Sequence, residues 1–255
     1  NDSALTGHTI FEEAARAGYD LTVVNVPKTV DNDLIMTDHC PGYGSAARYV
    51  ALATMCSAWD SETLNASSPV TIIEVMGRDA GWLSAASGIA RREERDAPHL
   101  ICVPEKPLIE DWFIARMEEA YTRFGFAVAV ISENTRGPDG VLGEQTEPYF
   151  VDDFGHAYYD GPARYLSGLV AGRLGVRSRF EKPGKAQRSF VPTTSNSDRR
   201  EAEMAGRAAV RAALGGDTDV MVTLVRGDGP KYECGTGLVP LAQVAGQVRT
   251  LPERY

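Results

Sequence analysis

The sequence has few cysteines and no long apolar run. Its four cysteines, Cys40, Cys56, Cys102 and Cys234, are scattered over 255 residues and form no CxxC pair. This spacing argues against a disulfide or zinc framework, and we expect buried thiols in a reducing cytoplasm. No stretch of the chain approaches the roughly 20 apolar residues that cross a bilayer, so no membrane-spanning segment is expected.

Basic residues and catalytic motifs are also scarce. The chain has 26 Lys+Arg against 35 Asp+Glu, a formal net charge of −9. A nucleic-acid binder needs a basic face, so this balance argues against one. The four histidines lack metal-ligand spacing, and neither GxSxG nor HExxH occurs, so no hydrolase or zinc-protease motif is present. Gly42-Tyr43-Gly44 does not complete a dinucleotide fingerprint, because Ala47 replaces the third glycine.

What the sequence does contain is an alternation of strand-like and helix-like segments. The strand-like segments are apolar on both faces, which is typical of parallel sheets covered by helices on both sides. The sequence therefore predicts a three-layer α/β/α protein with mostly parallel sheets, as one large domain or two smaller ones. Strands are predicted at 21–26, 70–75, 100–103, 127–131 and 221–225, and helices at 10–16, about 45–59, 80–92, 109–124, 162–174 and 198–214.

The two ends of the sequence are abrupt. The first helix follows within a few residues of the start, where Asn1, Asp2 or Ser3 suits its N-cap. No strand precedes this helix in the sequence, and the far end stops at 250–255 without a closing helix. We therefore expect a fragment of a longer protein.

Ligands of open α/β sheets bind at the carboxyl ends of the strands, so polar residues there are the candidates for function. After the strand at 21–26 come Lys28, Asp31 and Asp33. If the segment is extended, both carboxylates face the same side. One carboxylate can then accept a proton from a hydroxyl, the other can help to hold a metal, and Lys28 can neutralise phosphate charge. The alternative is a simple polar turn.

Further polar groups follow the next strands. Gly77 and Arg78 follow 70–75, where glycine allows close approach of a ligand and arginine can grip a phosphate. The alternative is a turn with Arg78 paired to Asp79. Glu105 follows 100–103 and suits a sugar hydroxyl or the first turn before a helix. Four basic residues lie close together later in this acidic chain: Arg179, Lys182, Lys185 and Arg188. Such a group suits an anionic small molecule, and the alternative is a solvated loop.

Taken together, these motifs resemble the phosphofructokinase family. The segments that carry the resemblance occur in the family's order over essentially the whole chain. The resemblance implies two α/β subdomains with the active site in the cleft between them. It also implies that residues 1–3 are the end of a glycine-rich phosphate loop whose glycines lie upstream. The matching segments are Pro27-Lys28-Thr29-Val30-Asp31-Asn32-Asp33, Glu74-Val75-Met76-Gly77-Arg78, Val103-Pro104-Glu105 and Gly184-Lys185-Ala186-Gln187-Arg188.

Two positions bear on the phosphoryl donor. Members of this family that use ATP typically carry glycine where this chain has Asp2 and Lys28, and members that use pyrophosphate carry Asp and Lys. A carboxylate at Asp2 repels the α-phosphate of ATP, while Lys28 adds positive charge beside pyrophosphate. The resemblance therefore implies pyrophosphate as the donor.

The implied reaction is reversible in-line transfer to the 1-hydroxyl of fructose 6-phosphate, in glycolysis or gluconeogenesis. Asp31 matches the proton acceptor, with Lys28, Asp2 and Arg78 also catalytic, and Mg²⁺ is implied near Asn1, Asp2 and Asp33. The family's assembly implies a homo-oligomer, a dimer or tetramer, in which Arg179 is often donated by a neighbouring subunit. The residues that bind substrate are then Thr29, Val30, Asp31, Met76, Gly77, Arg78, Glu105, Arg179, Lys185 and Arg188.

Three alternatives stay open. An ATP-dependent kinase of the same fold is disfavoured by Asp2 and Lys28, and a regulatory subunit without activity is disfavoured by the retained Asp31. The acceptor is a further open point. Pro69 stands where many members have an arginine and Lys185 where bacterial ATP enzymes have a histidine. A related ketose phosphate such as sedoheptulose 7-phosphate therefore stays an alternative acceptor.

Overall fold

The computed structural model describes residues 2–144, 147–151 and 157–253. The chain divides into two compact units: unit 1 comprises Asn1–Ser45 and Pro192–Arg249, and unit 2 comprises Ala46–Val191 and Thr250–Tyr255. The helices are α1 (Asp2–Arg16), α2 (Tyr43–Thr63), α3 (Trp82–Ala86), α4 (Glu110–Phe124), α5 (Pro162–Leu174) and α6 (Asn196–Gly215). The strands are β1 (Val24–Asn25), β2 (Val70–Val75), β3 (Leu100–Cys102), β4 (Ala127–Ser132), β5 (Arg136–Gly137), β6 (Gly140–Val141), β7 (Phe150–Val151), β8 (Ala157–Tyr158), β9 (Ser178–Glu181), β10 (Val220–Arg226) and β11 (Cys234–Pro240).

Unit 1 is built on a three-stranded sheet of order β1-β10-β11, in which β1 and β10 are parallel and β11 is antiparallel. Successive residues of β10 point to opposite faces of this sheet. Met221 belongs to a buried cluster with Ala4 of α1, whereas Val222 and Leu224 pack with Ala205 of α6. Helices therefore cover both faces of this sheet.

Unit 2 contains a four-stranded, all-parallel sheet of order β3-β4-β2-β9. Every residue of β2 and β4 is buried. One face packs against α4 and α5 through Phe113, Met117 and Leu166. On the other face, the Thr71 hydroxyl bonds the Ser61 hydroxyl of α2 at 2.8 Å. The predicted three-layer α/β/α fold with mostly parallel sheets is thus confirmed.

Two predicted elements are shorter than expected. The strand at 21–26 pairs only at Val24–Asn25 and is half-buried, because the Val23 amide donates to the Thr218 hydroxyl at 2.9 Å instead of extending the ladder. The helix at 80–92 is reduced to α3 followed by one 3-10 turn at Ser87–Ala90. The Ser84 hydroxyl there donates to the Gly81 carbonyl at 3.0 Å, a local bond that competes with a continuing helix.

Six strands of the described residues have no counterpart in the sequence prediction: the short pairs β5–β6 and β7–β8, and the strands β9 and β11 of the two larger sheets. β11 contains two glycines, which have low strand propensity, but its seven residues all pair with β10. β9 has one apolar residue, Phe180, and overlaps the basic group for which no strand is predicted, yet it forms a parallel ladder with β2. For β9 and β11, pairing with a buried neighbour outweighs local propensity.

The expectation of four buried thiols is wrong for two cysteines. Cys40 and Cys102 are buried, whereas Cys56 is exposed and Cys234 is half-buried. Burial raises the pKa of Cys40 to about 11 and that of Cys102 to about 12, so both stay protonated at neutral pH. No helix in the described part of the chain is both long enough and apolar enough to cross a membrane.

His99, the residue before β3, is held as a neutral imidazole. Its Nδ1 accepts the Val128 amide at 3.0 Å, and its Nε2 lies 3.1 Å from the Arg95 carbonyl, to which it donates. Its ring contacts those of Phe124 and Phe126, at centroid distances of 5.4 and 5.0 Å. This burial lowers the pKa of His99 to about 4.

His99→Gln should therefore flatten the acid sensitivity of the protein. The wild type is fully stabilised by this site above pH 6.5, and it loses that stability as pH falls from about 6.5 to 4, because only the unfolded chain then takes up the proton. The urea midpoint, measured against pH for wild type and variant, checks this. His8→Gln is the control of opposite sign, since bonding to Asp219 raises the pKa of His8. Parallel pH profiles for wild type and His99→Gln would contradict the assignment.

Candidate active site

The segment after β1 is a strained loop, not an extended strand. Thr29 has φ of 136° and Asn32 has φ of 59°, so the expectation that Asp31 and Asp33 face one side of an extended segment is wrong. A positive φ is a genuine outlier for a β-branched residue. The Thr29 hydroxyl accepts the Asp31 amide at 3.2 Å, which helps to fix this turn. Such strain persists where surrounding contacts impose it, and it clusters at functional sites.

Arg249 supplies those contacts in unit 1. Its guanidinium donates to the Asn32 carbonyl from Nε at 3.1 Å and from Nη2 at 2.8 Å. Its Nη1 donates to the carbonyls of Thr37 and Asp38 at 2.6 and 2.7 Å. Its own amide donates to the Asp33 carbonyl at 2.7 Å. Burial lowers the pKa of this guanidinium, which remains charged because its ordinary pKa is so high.

The start of α1 lies at the same end of the unit 1 sheet as this loop. Ala4 shares a buried cluster with Leu34 and Cys40, which follow the loop. One turn further along α1, the His8 imidazole bonds Asp219 at 2.9 Å, next to the amino end of β10. The helix therefore runs antiparallel to β1 and β10, and Asp2 begins it at the carboxyl end of β1. The free amides of a helix N-terminus and its dipole favour an anion there.

At the beginning of α2, the backbone amides are bound by a carboxylate of the protein itself. Asp198 accepts the amides of Gly42 and Ser45 at 2.9 and 2.6 Å, at the beginning of α2. The Ser45 hydroxyl also donates to it. This carboxylate therefore already satisfies the Gly42 and Ser45 amides at this helix start.

In unit 2, the carboxyl end of β2 is connected to the 3-10 turn at Gly184–Arg188. The buried Gln187 accepts the Met76 amide at 3.0 Å and donates to the Gly184 carbonyl at 3.2 Å. Gly77 has φ of 116°, and a Cβ there would lie 2.6 Å from the Ala80 carbonyl oxygen. Arg78 is exposed just beyond this turn. The structure thus brings together the segment at Met76-Gly77-Arg78 and the segment at Gly184–Arg188.

Glu105 organises the same region of unit 2. Its Oε1 accepts the amides of Gly81 and Leu251 at 2.9 and 2.7 Å. Its Oε2 is buried and has no hydrogen-bond partner in the described part of the chain. Gly81 is required beside it, since a Cβ there would lie 2.8 Å from Oε2 and 2.6 Å from Val103. Glu105 is therefore a loop anchor with one acceptor oxygen unused.

Glu74 is a buried carboxylate in β2, 5% exposed. It pairs with Lys182 at 2.7 Å and accepts the Ala163 amide at 3.0 Å. Burial raises the pKa of Glu74, while Lys182 opposes that shift. Glu74 thus links β2 to the start of α5, and Lys182 is engaged as its ion-pair partner.

The basic group of the sequence is divided in the structure. Arg179 pairs with Asp60 of α2 at 3.4 Å and lies level with Thr71 in the sheet. Met76 lies five residues beyond Thr71, roughly 16 Å along the strand. The exposed Lys185 and Arg188 lie on the turn that Gln187 joins to Met76. Lys185 and Arg188 are therefore grouped with Met76, whereas Arg179 is separate from it along the strand.

The oxygen donors proposed for a metal lie in unit 1, except that Asn1 is outside the described residues. Asp2 is exposed and Asp33 is half-buried, as is Asp31, which is expected to accept the proton and not to bind the metal. These three carboxylates do not form a tight three-ligand cluster; in the described ranges, that arrangement is found at His39, Glu201 and Cys234. The donor chemistry nevertheless suits Mg²⁺, which uses one or two carboxylates and keeps waters or phosphate oxygens in its other positions.

Comparison with known proteins identifies the family. The phosphofructokinase family model matches residues 2–213. This chain belongs to the phosphofructokinase family. It is 38% identical over 261 residues to a pyrophosphate–fructose 6-phosphate 1-phosphotransferase of Rhodospirillum rubrum, covering 100% of this chain and 63% of that protein. It is 34% identical over 249 residues to a sulfofructose kinase of Alkalicoccus urumqiensis, covering 97% and 63%.

A solved structure gives the same result. The crystal structure of the pyrophosphate-dependent phosphofructokinase from Marinobacter aquaeolei superimposes with a TM-score of 0.83 at 34% identity, over 99% of this chain and 60% of that one. The chain spans about three fifths of the length of these curated relatives. The predicted family and its fold are therefore confirmed.

Sequence reasoning did not assign roles to three residues that organise these regions. Arg249 fixes the loop after β1, Gln187 fixes Met76, and Glu74 fixes Lys182. Gln187 and Glu74 occur within the segments that carry the family resemblance, which was a usable signal. Arg249 lies more than 200 residues from the loop in sequence, and nothing in its local sequence indicates the contact.

Proposed function

We propose that the protein catalyses reversible phosphoryl transfer from inorganic pyrophosphate to the 1-hydroxyl of fructose 6-phosphate. The products are fructose 1,6-bisphosphate and phosphate. The proposal is supported by the family membership and by relatives named for this reaction. We place the enzyme in the cytoplasm, as a homo-oligomer without nucleic-acid or membrane partners.

The choice of pyrophosphate as the phosphoryl donor is supported by one arrangement in unit 1. The start of α1, with Asp2, and the loop with Lys28 lie at the same end of one sheet. The amides of α1 favour an anion, and Lys28 adds a positive charge beside it. Asp2 adds a negative charge that disfavours a longer polyphosphate such as that of ATP. This pairing of charges suits the compact pyrophosphate anion.

Asp31 is the proposed proton acceptor. In-line transfer requires the 1-hydroxyl to lose its proton as its oxygen attacks the near phosphorus of pyrophosphate. The bond from that phosphorus to the bridging oxygen breaks, and phosphate leaves. A carboxylate held in a fixed turn by Thr29 and Arg249 suits this transfer. Thr29 and Val30 would contact the substrate beside it.

Residues of unit 2 are proposed to bind the sugar phosphate. Met76, Gly77 and Arg78 form a turn fixed by Gln187. The unused oxygen of Glu105 suits a sugar hydroxyl donor. Lys185 and Arg188 on the adjoining turn suit the 6-phosphate. Arg179 is proposed to serve a neighbouring subunit, in keeping with its position away from Met76.

A divalent metal is proposed to assist the donor. Enzymes of this family generally use one, and we assign Mg²⁺ because the donors of Asp2 and Asp33, with Asn1, are hard oxygen or amide ligands. When bound, the ion would neutralise charge on the pyrophosphate oxygens. Asp33 is fixed for this role by the bond from the Arg249 amide to its carbonyl.

One observation favours a second function, which differs in the sugar that accepts the phosphoryl group. The relative named sulfofructose kinase covers 97% of this chain, and the cationic set that would meet the 6-substituent has Lys185 on an exposed turn. A sulfonate and a phosphate both suit such cations. Sulfofructose and sedoheptulose 7-phosphate therefore belong in the assay as competing acceptors.

The test is donor competition with the protein at its natural length. We expect turnover of fructose 6-phosphate with pyrophosphate and at least about a hundredfold less with ATP. Lys28→Gly should lower kcat/KM for pyrophosphate by about a hundredfold, because it removes one charge that stabilises the transition state. Asp2→Gly combined with Lys28→Gly should shift the ratio toward ATP.

Lys231→Gly is the matched control, since Lys231 is exposed in the turn before β11. It should leave both donors unaffected. Faster turnover with ATP in the wild type would contradict the roles of Asp2 and Lys28. No turnover with either donor on any of the three acceptors would favour a regulatory subunit.

A further inference from the structure

Three side chains of unit 1 that the proposed reaction does not use converge on one point. His39 lies beyond the loop after β1, Glu201 lies in α6, and Cys234 begins β11. One ligand atom from each lies within 4.8 Å of the others. Of these atoms, His39 Nε2 and Glu201 Oε2 are 2.7 Å apart. Glu201 is buried, while His39 and Cys234 are half-buried.

These ligands have the chemistry of a zinc site. Zinc takes imidazole nitrogen, thiolate sulfur and carboxylate oxygen at about 2.0 to 2.3 Å in a tetrahedron. Ligand atoms around such an ion lie somewhat more than 3 Å apart, so the observed separations need only small side-chain adjustments. A thiolate and an imidazole together favour zinc over the hard Mg²⁺ ion.

The cluster also has space for a fourth ligand. His39 and Glu201 line a cavity of about 320 Å³, together with Tyr43, Asp198 and Tyr232. The Tyr232 hydroxyl donates to Glu201 Oε1 and so orients the carboxylate while leaving Oε2 to the cluster. Bonds of this kind from outside the ligand set fix a ligand's orientation.

We propose that His39, Glu201 and Cys234 form a zinc-binding site with water or a small ligand in the fourth position. On binding, the Cys234 thiol releases its proton to solvent. The His39 imidazole gives up its Nε2 bond to Glu201 and binds the ion through that nitrogen as a neutral ring with one proton, on Nδ1, and any second ring proton is released to solvent. The site joins three parts of the chain that are distant in sequence: the loop that contains His39, helix α6 and strand β11.

This site differs from the proposed catalytic metal in both place and ligand class. The catalytic ion would take oxygen donors near Asp2 and Asp33, whereas this one takes a nitrogen and a sulfur donor together with the Glu201 carboxylate. The proposal does not depend on the proposed reaction. Its failure would leave the phosphotransferase assignment intact.

Cobalt(II) provides a direct test, because it occupies zinc sites and gives a thiolate-to-cobalt charge-transfer band that only sulfur coordination produces. Metal-free protein at its natural length should bind one equivalent of Co²⁺ with this band. Zn²⁺ should remove the band, and an excess of Mg²⁺ should not. Zn²⁺ should also raise the melting temperature, because it binds only the folded site.

Variants separate this site from other thiols. Cys234→Ser should abolish the band, while Cys56→Ser, which removes the exposed thiol, should retain it. His39→Gln should weaken Co²⁺ binding by at least about tenfold, since even loss of an outer partner of a ligand has that effect. Circular dichroism of each variant checks that it is folded. A missing band in the wild type, or a band that survives Cys234→Ser, overturns the proposal.

Discussion

Asp31→Asn should lower kcat for transfer from pyrophosphate to fructose 6-phosphate by about a thousandfold, with KM for both substrates within about threefold. Asparagine keeps the size and the hydrogen-bonding oxygen of the side chain, but it cannot accept the proton of the 1-hydroxyl. Bonds to backbone groups hold this turn: the Asp31 amide donates to the Thr29 hydroxyl, and the Asn32 carbonyl accepts from the Arg249 guanidinium. The substitution should therefore remove the base without moving the loop.

Steady-state kinetics in the direction of fructose 1,6-bisphosphate formation checks this expectation. Asp20→Asn is the matched control, since Asp20 is an exposed carboxylate of unit 1 ahead of β1. It should retain wild-type kcat. If Asp31→Asn kept more than about a tenth of the activity, Asp31 could not be the main base. A rise in KM at constant kcat would instead assign Asp31 to binding.

The elements of the fold were predictable where burial is continuous. β2 was predicted at 70–75 and α5 at 162–174, with the bounds that the structure has. A run that is apolar on both faces has few options other than a covered parallel strand, and Pro162 with Gly175 marks both ends of α5. β11 was missed because its two glycines have low strand propensity, whereas the strand forms through pairing with β10 and burial of Val239.

The candidate site was predictable in its residues but not in its geometry. The order Lys28, Asp31 and Asp33 was visible, yet the positive φ of Thr29 was not, because threonine rarely adopts it. The basic group appeared as one patch, although the sheet register separates Arg179 from Lys185. Contacts such as that of Arg249 with the loop depend on tertiary packing, which local spacing does not encode.

Arg249→Lys should lower kcat by about a hundredfold with little change in KM for fructose 6-phosphate. The guanidinium holds the carbonyls of Asn32, Thr37 and Asp38 with three nitrogens. A lysine ammonium is a compact point charge and cannot reproduce this planar fork. Loosening the loop by about 1 Å displaces Asp31 from the attacking hydroxyl, and displacements of that size reduce rates by about a hundredfold.

Hydrogen exchange distinguishes this positioning role from a general loss of stability. In Arg249→Lys, the amides of residues 31–38 should exchange faster, while those of β4 in unit 2 stay unchanged. Arg207→Lys serves as the control, because Arg207 is an exposed residue of α6 paired with Glu203, and it should match wild type in both kcat and exchange. Wild-type kcat in Arg249→Lys would show that the loop keeps Asp31 in place without the guanidinium. Faster exchange throughout both units would reduce Arg249 to a residue needed only for folding. If Arg249 acts by positioning Asp31, the variant should show slower turnover, an unchanged KM and faster exchange in the loop alone.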